Sequence, residues 1–172
     1  MRILAGIAML ALGCSGQALA ADAVATASGQ GQLYDGRTFA FTAEIFADGT
    51  ADGMAVIVNK TYSGDSGTGP YKAKLEIKCA RRDGNVITFG GMANKTNDSN
   101  LQDAAFFSVE DRGEPGKGVD QLSGLAFWDG DPNTTGDPMA CLASTPFPMS
   151  TIENGKIQVK TQADPLAFKT AE

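Results

Sequence analysis

From Tyr71 to Cys79 the chain alternates strictly. Tyr71, Ala73, Leu75, Ile77 and Cys79 are apolar, and Lys72, Lys74, Glu76 and Lys78 are charged. A period of two places the two sets on opposite faces of a strand, whereas an apolar helix face needs a period of about 3.6. This segment is therefore a strand with one covered face and one wet face. Phe39, Phe41, Ala43 and Ile45 alternate in the same way with Thr38, Ala40, Thr42 and Glu44. Further strands are expected at 24–34, 53–62, 85–93, 104–111, 122–128 and 155–161, about eight in all. Phe106-Phe107 must send one ring to each face, so both faces of that strand are expected to be covered.

The breaks carry turn chemistry. Asp35-Gly36, Asp48-Gly49, Asp83-Gly84 and Asn154-Gly155 are Asx-Gly pairs, which accept positive φ at low cost. Asp83-Gly84 lies between two strong strands and predicts a hairpin. Short strands at near-regular spacing predict an all-β fold, an antiparallel sandwich or barrel. Little helix is expected, with one short turn at Ser99–Ala104. Two connections are long, the polar stretch 94–103 and the Pro-rich stretch 129–153.

The first twenty residues read as an export signal. Arg2 precedes an apolar stretch over Ile3–Gly13, and Ala18-Leu19-Ala20 is a small-residue cleavage site. A competing reading uses Ala11-Leu12-Gly13-Cys14 as a lipoprotein box, with a lipid anchor on Cys14. After the signal no stretch is long and apolar enough for a transmembrane segment. The expected organisation is a signal peptide at 1–20, one β domain at 21–162 and a flexible tail at 163–172. The location implied is secreted or periplasmic.

Composition removes several functions. The 172 residues contain no histidine, which excludes Ser-His-Asp and Cys-His catalysis, imidazole zinc sites and His-ligated haem. Net charge is −6, and the residues after position 20 carry 13 bases against 20 acids, which argues against a general nucleic-acid binder. Cys14 belongs to the signal, leaving Cys79 and Cys141. In an oxidising compartment such a pair is expected to form a disulfide. The alternative, a redox or nucleophilic cysteine, wants a C-x-x-C spacing or a neighbouring base, and the sequence offers neither.

Three groups are candidate sites. Asp129, Asp131 and Asn133 place oxygen ligands at alternate positions, the arrangement that lets a loop converge on calcium. Thr134 at the sixth position, Pro132 within the loop and the lack of a Glu at the twelfth depart from a calcium loop, and a plain Asx- and Gly-rich turn competes with it. Asp111, Glu114 and Asp120 flank a Gly-rich connection. Carboxylates so placed can do general acid/base work, or can cap backbone N–H groups and pin the loop. Trp128 ends Leu125-Ala126-Phe127-Trp128 and either points outward as a stacking or anchoring surface or closes one end of the fold. The N-x-S/T sequons at Asn59, Asn94, Asn97 and Asn133 read as chance behind a bacterial-looking signal.

The order of motifs from Ser28-Gly29-Gln30-Gly31 through Cys79, Asp83-Gly84-Asn85, Phe89-Gly90-Gly91, Val109-Glu110-Asp111-Arg112-Gly113, Asp120-Gln121-Leu122-Ser123 and Cys141 to Asn154-Gly155-Lys156 resembles an uncharacterised family of small exported bacterial β proteins. The likeness spans about residues 28–160. It implies an all-β fold and paired cysteines, and it brings no activity and no catalytic residue. The function expected is a binding or interaction module for an extracellular or periplasmic protein or glycan, with the 94–103 and 129–148 loops as its surface. The alternatives are a carboxylate-dependent enzyme and a carrier of a small apolar ligand in a barrel lumen. Calcium is the one cofactor the sequence offers.

Overall fold

The computed structural model describes residues 22–62, 70–98, 101–113, 119–128 and 134–162. The described residues form nine strands: β1 Ala23–Leu33, β2 Thr38–Phe46, β3 Thr50–Asn59, β4 Tyr71–Asp83, β5 Val86–Thr96, β6 Ala104–Glu110, β7 Gln121–Ser123, β8 Ala126–Phe127 and β9 Met149–Thr161. Each of β1 to β6 pairs antiparallel with the next in sequence. β9 then lies between β7 and β1 and closes the sheet into an eight-stranded barrel. β8 stands outside that circle, paired with β6 alone. The sandwich alternative is thereby resolved in favour of the barrel.

The hairpins follow the Asx-Gly pairs. Gly36, Gly49 and Gly84 all take positive φ between neighbouring strands. Asp48 anchors the β2–β3 turn by accepting from the Thr50 N–H at 2.9 Å and its hydroxyl at 2.6 Å. These contacts hold its carboxyl below the ordinary value, the Thr50 hydroxyl bond first.

Asn154-Gly155 behaves differently from the turn expected there. β9 runs straight through it, and the register with β1 shifts where Asn154 pairs Gln32 and Ile152 pairs Leu33. An extra residue reverses the alternation, so Ile152 and Ile157, five positions apart, are both buried in the core. Gly155 sits there at φ +111, and a Cβ on it would lie 2.0 Å from the Gln30 carbonyl oxygen.

A second bulge corrects the opening strand. β4 continues beyond Cys79 to Asp83, and its register with β5 shifts between Ile77 and Cys79. Tyr71, Ala73, Leu75 and Ile77 face the barrel core, and so does Ala80. Cys79 instead faces outward, in a cluster with Ala104, Phe106 and Cys141. The 122–128 strand is likewise interrupted, at Gly124-Leu125, into β7 and β8. β5 extends to Thr96, which shortens the expected 94–103 loop. Near the expected helical turn the Leu101 N–H donates to the Asp98 carbonyl, and Ala104 already belongs to β6.

The interior is solid. Phe89 and Phe107 pack with ring centroids 5.2 Å apart, and Phe41 lies 5.7 Å from each. Leu33, Leu75, Ile87, Val109, Leu122 and Ile157 pack around them in the same buried cluster. Outside, the wall carries Thr42 and Glu44 on β2, Lys72 and Lys74 on β4, and Lys156 and Lys160 on β9. An apolar interior inside a charged wall is the reverse of a membrane barrel, whose apolar band faces lipid. Among the described residues no helix is long and apolar enough to cross a membrane.

Candidate functional site

Among the described residues, the outer wall is divided into a covered half and a bare half. Over β4, β5 and β6 runs the segment 134–148, which includes the 3-10 helix Pro138–Ala143. Asp137 caps that helix by accepting the Met139 N–H at 2.8 Å, and Pro138 supplies a fixed φ just inside it. Cys141 joins Cys79 in a disulfide with a Cα–Cα distance of 6.2 Å. The Arg81 guanidinium donates to the Ser144 carbonyl at 2.7 Å, and the Phe147 N–H donates to the Ser108 hydroxyl at 3.0 Å. Phe147 lies over Phe106 with centroids 6.3 Å apart. A Cβ at Gly90 would sit 2.1 Å from the Pro138 carbonyl oxygen, so the absent side chain is what lets this strap lie flat. The outward positions of β5 and β6 demand such cover. Phe106 is apolar, and Thr88 and Ser108 are buried with hydroxyls 2.9 Å apart.

The bare half is the outer face of β9, β1, β2 and β3. Register places its outward side chains in three cross-strand rows. One row reads Lys156, Gln30, Ala40, Val56. The next reads Gln158, Ser28, Thr42, Met54. The third reads Lys160, Thr26, Glu44, Asp52. Thr26 and Ser28 on β1 and Ala40 and Thr42 on β2 are short, while Lys156, Gln158 and Lys160 on β9 and Met54 on β3 are long. The wall therefore sinks along its middle into two adjoining furrows of about 400 and 420 Å³ that share Ser28, Thr42 and Gln158. Lys156 and Lys160 stand on one bank, and Asp52 and Met54 on the other.

Glu44 and Asp52 are directly opposed across the β2–β3 pair. Like charges so placed repel and lower stability. Among the described residues no ion pair joins either to a cation. On the neighbouring strand Lys78 pairs with Glu76, which holds its ammonium above the ordinary value, with a smaller contribution from Asp52.

Of the residues singled out in the sequence, the described ones lie away from the furrows: Asp111 and Asp120 come together at one seam, and Trp128 lies on the strap side. Asp111 and Asp120 flank the seam where β9 runs past the start of β7. Asp120 accepts the Ile157 N–H at 2.7 Å on one oxygen and the Arg112 N–H at 3.0 Å on the other. Asp111 accepts the Val159 N–H at 2.8 Å and the Gly113 N–H at 2.8 Å. The two carboxylates thus replace missing ladder partners of β9 and pin their own loop. Trp128 is 51% exposed, on the strap side. Its N–H donates to the Ala104 carbonyl, and its ring lies against Phe106 and so close to Gly136 that a Cβ there would touch it at 2.4 Å. Glu114, Asp129, Asp131, Asn133, Cys14 and the 163–172 tail lie outside the described residues. Among the described residues no group of three or more acidic or cysteine side chains is placed to hold a metal.

Sequence reasoning missed the furrows, although a trace of them is visible. Ala25, Ala27 and Gly29 face in and Thr26 and Ser28 face out, so β1 is made of small residues on both sides. It also missed Asp98 and Asp103, which are 1% and 2% exposed. Asp98 accepts from the Tyr62 hydroxyl, and Asp103 accepts the Ala104 and Gly136 N–H groups, each at 2.6 Å. No protein-family model, curated protein or solved structure matches the chain.

Proposed function

We propose that the protein is an exported binding module, and that the furrowed outer wall of β9, β1, β2 and β3 is its recognition surface for a protein partner. The observation that carries this reading is the opposed Glu44–Asp52 pair. A repulsive pair whose one neighbouring cation among the described residues, Lys78, is already ion-paired to Glu76 is costly to the isolated fold and favourable to one that receives a basic side chain from outside. Lys156 and Lys160 across the furrow offer the complementary contact to an acidic group, so the surface selects a polar partner segment carrying both signs. Met54, 42% exposed, adds an adaptable apolar contact. The Cys79–Cys141 disulfide supports an oxidising location, secreted or periplasmic.

The alternatives have less to stand on. Both oxygens of Asp111 and of Asp120 are engaged by main-chain N–H groups, which favours scaffolding over acid/base work. The packed phenylalanine cluster occupies the lumen that an interior carrier would need.

A photo-crosslinking side chain at Thr42, in the furrow, should form a discrete protein adduct in the exported fraction. The same side chain at Leu142, on the strap, should not. Glu44→Gln should raise the melting temperature while weakening the Thr42 adduct. Equal adducts from both positions, an adduct with glycan alone, or Glu44→Gln lowering stability would each overturn the reading.

A further inference from the structure

At the end of the barrel where the β2–β3 and β4–β5 hairpins meet the start of β1 and the end of β9, the wall opens into a cleft of about 420 Å³. This mouth is separate from the outer-wall furrows and lies above the packed core. Its floor is Ala25, Ala80 and Ile87, all buried, and its walls include Ile45, Phe46 and Val159. The space exists because Ala25, Ala47 and Ala80 are small where larger side chains would plug the opening. Its volume falls within the range of small-molecule sites, and its lining is mainly apolar, as such sites are.

One cation belongs to this lining. The Arg82 Nε donates to the Gly84 carbonyl at 2.9 Å, and among the described residues its guanidinium has no carboxylate partner. The terminal nitrogens are left with a planar pair of donors that matches the two oxygens of a carboxylate. An apolar cleft with one unpaired guanidinium is complementary to a chain with one anionic end.

We propose that the mouth binds a single-chain anionic amphiphile, its alkyl chain against Ile45, Phe46, Ile87 and Val159 and its head group on Arg82. The ligand is a free monomer. The cleft has a closed floor and room for one chain, and the protein's net charge of −6 opposes approach to an anionic bilayer.

Dodecanoate titrated into the purified protein below its micelle-forming concentration tests this by calorimetry. Saturable one-to-one binding is expected. Dodecanol should bind about tenfold more weakly, since it lacks the charge-assisted contact, and dodecyltrimethylammonium should not bind. Arg82→Gln should bring dodecanoate down to the dodecanol level and leave dodecanol unchanged. Ala47→Trp, in an exposed turn at the rim, should abolish binding of both. The proposal is overturned by no saturable binding, by equal binding of the cationic amphiphile, or by undiminished binding to the Ala47→Trp protein. Binding to anionic phosphatidylglycerol vesicles but not to monomeric dodecanoate also overturns it. The comparison of charged and neutral ligands on the unaltered protein decides the question even if Arg82→Gln does not fold.

Discussion

Asp120 sits where β7 begins and its ladder with β9 ends, and its carboxylate does the work of the missing strand. It is 8% exposed, and removing it leaves the Ile157 and Arg112 N–H groups without acceptors at a partly dry seam. Asp120→Ala should therefore cost on the order of 3 kcal/mol in denaturant unfolding. Asp120→Asn, which keeps one carbonyl acceptor, should cost clearly less, and a near-neutral Asp120→Ala would refute the seam role. Asp48 gives a pH-dependent effect of known sign. The folded state holds its carboxyl below the ordinary aspartate value, so its contribution is present above that value and is lost as pH falls through the lower folded-state one. A melting-temperature series between about pH 5 and pH 2 should show a shallower acid loss in Asp48→Ala than in the parent. Parallel curves would mean that Asp48 has no linked proton.

At the scale of elements, the strap and the bulges matter most. The disulfide closes a loop across 62 positions and ties the strap to β4. Loop-closure entropy for that length is worth about 4 kcal/mol in the unfolded chain. Replacing both Cys79 and Cys141 by Ser should lower unfolding stability by roughly that amount, and Phe147 should then become accessible to solvent quenchers before the barrel melts. A double variant as stable as the parent would show that packing of Phe106 and Phe147 alone holds the strap. The two bulges explain why this strap and this core coexist. Without the shift at Ile77/Cys79, Cys79 would point into the barrel beside Leu75 and Ile77 and could not reach Cys141. Without the one at Glu153, Ile152 and Ile157 could not both be buried.

For the whole molecule, closure joins the first strand to the last. β1 and β9 pair from Ala25–Thr161 to Leu33–Ile152, and among the described residues nothing else seals that side of the circle. Removing residues 149–172 would leave β1 and β7 with unpaired edges, which recruit other chains. The truncated protein should elute as oligomers in size-exclusion chromatography where the full chain elutes as one species at the same concentration. A truncated chain that stays with the parent would mean that the remaining strands close without β9.

Much of this architecture is local and was legible in the residues. Period-two alternation in 38–45 and 71–77 is a property of one strand, so it marks strands before any partner is known. Asp35-Gly36, Asp48-Gly49 and Asp83-Gly84 favour tight turns for reasons contained in a few bonds. The absence of histidine limits chemistry in any fold. What the tertiary structure decided is where each face points and what touches it. Asn154-Gly155 has the composition of a turn but runs on as strand beside a bulge at Glu153, because Gln30 to Leu33, more than a hundred positions away, supplied a strand to pair with. Asp111 and Asp120 have the composition of a catalytic pair, yet they meet the N–H groups of β9, whose position depends on closure. The bare furrow and the covered strap are both outer faces of alternating strands. Only the long-range pairing that closes the barrel determines which half the Cys141 segment covers and which half is left to the solvent.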